Sequence, residues 1–61
     1  MSKENQDMII MHLEHHIQET CPEGYKPAWD ELLAYCLGYY NYIDLDILFA
    51  VKRLQMEGKV E

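Results

Sequence analysis

Apolar residues in this chain return at intervals of three and four, and the pattern is broken at Cys21-Pro22-Glu23-Gly24, at Gly38 and at Gly58. Side chains spaced in this way share one face of a helix, whereas a half-buried strand alternates at every second residue. The expected fold is therefore all-α: three helices in a single domain over residues 1–61, with at most a minimal β-strand at the end.

The first helix is predicted from Ser2 or Glu4 to Thr20, with Ile9, Ile10, Leu13 and Ile17 on one face and Ser2 or Asn5 as its cap. Proline and glycine in Cys21-Pro22-Glu23-Gly24 end it. The second helix is predicted from Ala28 to Leu37. Pro27 introduces it where a missing N–H is harmless, Asp30 and Glu31 suit the positive end of its dipole, and Gly38 stops it. The third is predicted from Asp44 to Glu57, closed by Gly58, with Ile47, Ala50, Val51 and Leu54 as its inward face. Lys59-Val60-Glu61 leave room for one short strand or a frayed tail. The predicted core combines Ile10, Leu13, Ile17, Leu33, Leu37, Ile47, Val51 and Leu54.

A chain of 61 residues buries only ~60% of its unfolded surface and is marginally stable alone. Yet 49% of its residues are hydrophobic, well above the content of a disordered tail. Five Lys and Arg against eleven Asp and Glu give a formal charge of −6, which opposes nucleic acid as a partner because phosphate neutralisation supplies most non-specific affinity. Basic protein surfaces are favoured instead, although many cytosolic domains are acidic merely for solubility. No apolar run approaches the ~20 residues that cross a bilayer, and His and Glu interrupt the N-terminal segment where a signal peptide would need an apolar stretch. The expectation is a cytoplasmic protein with no membrane association, in which Cys21 and Cys36 are free thiols.

On a helical wheel with Ile47, Val51 and Leu54 inward, Leu45, Phe49 and Met56 fall on the opposite side, with Lys52 and Arg53 among them. Such a stripe asks for a cover from a second copy or another protein. The competing phase places Phe49 in the core. Asp44 and Asp46 are expected to satisfy the N-terminal N–H groups of the helix. The tyrosines Tyr25, Tyr35, Tyr39, Tyr40 and Tyr42 fit either a protein interface or a turn that covers the core. Base stacking lacks the basic groove that usually accompanies it.

Three stretches carry a family resemblance. Leu33 to Gly38, "LAYCLG", resembles the second helix of helix-turn-helix domains, and "VKRLQMEGKVE" resembles the close of the recognition helix in winged-helix repressors. "GYKPAWDELLAYCLGYY" is similar to the proline-led entry into helix two of LexA-type DNA-binding domains. The resemblance spans Met8 to Glu61 and implies a helix-turn-helix or truncated winged-helix fold. It departs from the family in a longer interval between Gly38 and Gly58, filled by "YYNYID", and in a wing that stops after its first strand. It departs most on the groove-facing side of the third helix, which offers Leu45, Asp46, Phe49, Lys52, Arg53 and Met56.

The expected function is a protein-interaction module whose contact residues are Tyr42, Leu45, Phe49, Lys52, Arg53 and Met56, with a homodimer or another protein as partner. Small acidic chains of this kind resemble regulators and inhibitors of phages and other mobile elements. The alternative is a dimeric, sequence-specific DNA-binding regulator using Tyr42, Lys52 and Arg53. A DNA mimic is less favoured, because the acids form no long regular row.

His12 and His16, spaced as i and i+4 with Glu19 and Cys21 nearby, lack the further ligands of a structural zinc site. His12 and His15 are expected on the surface instead, and no metal or cofactor is assigned. No nucleophile elbow, phosphate loop, HExxH or Ser-His-Asp pattern is present, and so small a domain has scant room for a pocket of ~300 Å³ or more. Neither enzymatic activity nor a small-molecule substrate is expected.

Overall fold

The computed structural model describes residues 3–61 and contains three helices, α1 (Lys3–Thr20), α2 (Trp29–Tyr40) and α3 (Leu45–Met56). The fold class is all-α, and no strand occurs among the described residues. The cap suggested at Ser2 lies outside them. Asn5 lies within the first turns of α1, and its amide reaches across to Asp46 on α3.

α3 is the central element, packed against both α1 and α2, while Cα–Cα separations between α1 and α2 all exceed 8 Å. Its inward face, Ile47, Ala50, Val51 and Leu54, is buried as its spacing requires. Ile9, Ile10 and Leu13 meet it from α1, and Leu32 and Cys36 meet it from α2.

On α2 the expected core residues are corrected by one position: Leu32 and Cys36 are buried, Leu33 is half-buried, and Leu37 is 53% exposed. Apolar residues surround nearly the whole wheel of α2, so their spacing leaves its phase open. Trp29, Leu33, Tyr35 and Tyr40 all pack on the core around buried Leu32 and Cys36. Ile17 likewise sits at the margin of the core and is half-buried.

The helix ends follow local chemistry. α1 closes with the Cys21 N–H donating to the Ile17 carbonyl at 2.8 Å. A turn then carries the Tyr25 N–H to the Pro22 carbonyl at 3.0 Å. Gly24 adopts φ 85° in that turn, a conformation that glycine takes without steric penalty.

α2 begins after Ala28, one residue beyond Pro27, so the proline precedes the cap. Ala28 has no side-chain acceptor, but the Glu31 carboxylate reaches back to its N–H at 3.3 Å. The helix continues through Gly38 to Tyr40. Its stop is Asn41, in the left-handed region at φ 67°, whose N–H donates to the Leu37 carbonyl at 2.9 Å. Asparagine tolerates that conformation, whereas Gly38 keeps a helical one.

α3 starts where the Asp44 carboxylate accepts the Ile47 N–H at 2.9 Å. At its end Gly58 (φ 82°) donates to the Gln55 carbonyl and Lys59 to the Leu54 carbonyl, the paired bonds of a Schellman motif. The final residues are neither a strand nor a frayed tail. Val60 is buried in the core, the Glu61 N–H donates to the Pro27 carbonyl at 3.0 Å, and the Gln55 side chain donates to the Glu61 carbonyl at 3.1 Å.

Candidate protein-interaction surface

With its inward face fixed by the core, α3 presents Leu45 (56% exposed), Phe49 (43%) and Met56 (77%) on the side away from the other helices. Lys52 lies on the same stripe, is exposed, and makes no ion pair among those of the described residues. The competing phase, with Phe49 in the core, does not occur.

Two of the polar residues on α3 are turned toward α1. Arg53 donates from Nη1 to Asp7 Oδ1 at 2.9 Å, which draws its guanidinium off the outward stripe. Asp46 is buried; it accepts from the Asn5 amide at 3.1 Å and the Gln6 amide at 3.3 Å. The Asp44 carboxylate accepts a helix N–H, as expected, while Asp46 stands in the first turn of α3 and its carboxylate also accepts the Asn5 and Gln6 amides. One signal for this arrangement is legible in the sequence: Asp46 precedes Ala50 and Arg53 by one and two turns, and amides occupy the start of α1.

Tyr35, Tyr39, Tyr40 and Tyr42 form a continuous run of ring contacts, with successive centroids 5.9, 4.9 and 6.3 Å apart, while Tyr25 stands apart with its hydroxyl donating to Glu31. Tyr42 is exposed beside the start of α3 and Tyr39 is exposed on α2, while Tyr35 and Tyr40 are half-buried against the core. Tyr35 bridges α2 to α1: its ring stacks on His16 with centroids 3.5 Å apart at 12°, and its hydroxyl lies 2.7 Å from His12 Nε2. His12 is thus a half-buried packing residue, contrary to its expected surface position, whereas His15 is exposed and lies 3.5 Å from Glu19. Burial, and secondarily the neighbouring His12, holds the pKa of His16 below its ordinary value.

Cys21 and Cys36 are free thiols, and burial pushes the Cys36 thiol up to about 11, so it behaves as a small apolar side chain. No three His, Cys, Asp or Glu side chains converge as a metal site among the described residues. Two open clefts of about 530 and 360 Å³ flank the α1–α2 loop, more room than expected for a domain of this size. Lys59 and Glu14 form an ion pair on the wall of the larger one, and neither cleft is lined by a residue of α3.

No helix among the described residues is long and apolar enough to cross a membrane. No family model, curated protein or solved structure matches the chain.

Proposed function

We propose that this domain is a helix-turn-helix-like protein-interaction module that binds through the outward face of α3. The observation that carries this reading is the continuous exposure of Leu45, Phe49 and Met56 on a helix whose opposite face is fully committed to the core. Covering each such side chain is worth up to ~1.5–3 kcal/mol, scaled by the fraction still exposed. The domain then acts as a small regulator or inhibitor on a protein partner. Two unpaired thiols, one of them buried, suit a reducing cytoplasm.

DNA binding is the second reading, resting on Lys52 and on the resemblance to winged-helix repressors. It is weakened by the engagement of Arg53 with Asp7 and by a formal charge of −6. A photo-cross-linking amino acid placed at Phe49 separates the two in cells. Protein adducts from that position, with none from the exposed Asp30 on α2, are expected. Nucleic-acid adducts, or no adducts from position 49, overturn the proposal.

A further inference from the structure

We propose that the occupant of this face is a second copy of the same chain, docked antiparallel, α3 against α3, about a two-fold axis. The inference rests on the protein-binding reading above and adds the partner and its register.

Leu45, Phe49, Lys52 and Met56 follow one another at spacings of four, three and four, which reads the same from either end. A two-fold interface requires this self-complementarity, because each residue must face a partner position that faces it in return. Antiparallel pairing sets Leu45 of one copy opposite Met56 of the other, and Phe49 opposite Lys52. Every apolar side chain is then covered, and each lysine stem lies along an aromatic ring, where its ammonium gains a cation–π contact. The alternation of four and three is also the seam of a coiled coil, in which a single lysine fixes register at some loss of stability.

Charge favours the same direction. Lys52 is the charge left on the outward stripe, because Asp46 and Arg53 are turned toward α1. Antiparallel pairing sets each lysine against a phenylalanine and places the two helix dipoles in opposed directions. A parallel pair would align lysine with lysine, on copies that each already carry −6.

The contact area sets the strength. α3 has 12 residues, so the seam is only ~18 Å long. It falls short of the ~1,200 Å² total of a standard stable interface. The dimer is therefore transient, with a dissociation constant in the micromolar range.

Sedimentation equilibrium of the full chain from about 10 µM to about 1 mM tests this, with circular dichroism on the same samples. The wild type should pass from one chain mass to two, while Phe49→Lys, which opposes lysine to lysine, remains a monomer with unchanged helicity. Lys52→Phe in excess should draw fluorescently labelled Phe49→Lys into a mixed dimer, because lysine again faces an aromatic ring. If Phe49→Lys loses its fold, Met56→Glu at the most exposed stripe position must weaken the dimer at least about tenfold. A wild type that stays monomeric throughout, a folded Phe49→Lys that dimerises normally, or a mixture that forms no mixed dimer overturns the proposal. A monomeric wild type that still gives protein cross-links from position 49 ends the homodimer alone; absence of both ends the protein-binding reading as well.

Discussion

Arg53 Nη1 lies 2.9 Å from Asp7 Oδ1, which ties α3 to the first half of α1 and takes one of only five Lys and Arg side chains off the outward face. Both side chains are nearly half exposed, so solvent screening keeps the pair weak. A double-mutant cycle with Asp7→Ala and Arg53→Ala should give a coupling of about 0.2–1 kcal/mol in urea unfolding. A coupling above about 2 kcal/mol would mean that the pair is an anchor of the fold.

Asp46 makes the second tie between the same helices, and its burial raises the stakes. Asp46→Ala removes the acceptor of the Asn5 and Gln6 amides and should destabilise the domain by about 1–3 kcal/mol. Hydrogen exchange should show the loss first in the N-terminal turns of α1. Unchanged protection there would contradict a tethering role for the carboxylate.

Gly38 lies in the interior of α2 with a helical backbone, and a Cβ added to it meets nothing within 4 Å. Gly38→Ala should therefore stabilise the protein by about 0.5–1 kcal/mol, chiefly by restricting the unfolded chain. Thermal melting should shift upward by about 4–8 °C per kcal/mol. A fall in melting temperature would return Gly38 to its sequence-predicted role as the helix stop.

Stability should also respond to pH through His16. Its folded-state pKa lies below the ordinary 6.5, for reasons of burial and then of His12, so the unfolded chain binds the proton more readily. The contribution is fully present above pH 6.5 and is lost as the pH falls from there through the depressed folded value. Urea unfolding of His16→Gln across that window should show a shallower decline than the wild type. An identical slope in the two proteins would assign the pH response elsewhere.

The sequence discloses these elements unequally, for physical reasons. α3 is legible because one face is strictly apolar, the other is broken by charges, and Asp44 and Gly58 mark its ends by well-defined capping chemistry. The phase of α2 is not, since apolar residues nearly encircle it, and Trp29, Leu33, Tyr35 and Tyr40 all pack on the core around buried Leu32 and Cys36. Its end is equally obscure: Gly38 is the conventional stop, but Asn41 occupies the left-handed position. At the candidate surface the apolar stripe is visible from spacing alone, whereas the withdrawal of Arg53 and Asp46 depends on partners more than 40 residues away. The histidines follow the same rule, because His12 and His16 become packing residues only when α2 brings Tyr35 to them.

Phe49 carries the central claim, that the outward face of α3 serves association and not the fold. Sedimentation and circular dichroism on Phe49→Ala test it in one sample. The account predicts retained helicity with association weakened by about 2 kcal/mol or more, as expected for a hot-spot aromatic. An unfolded Phe49→Ala, or one destabilised by the roughly 3–5 kcal/mol of a truncated core phenylalanine, would contradict it.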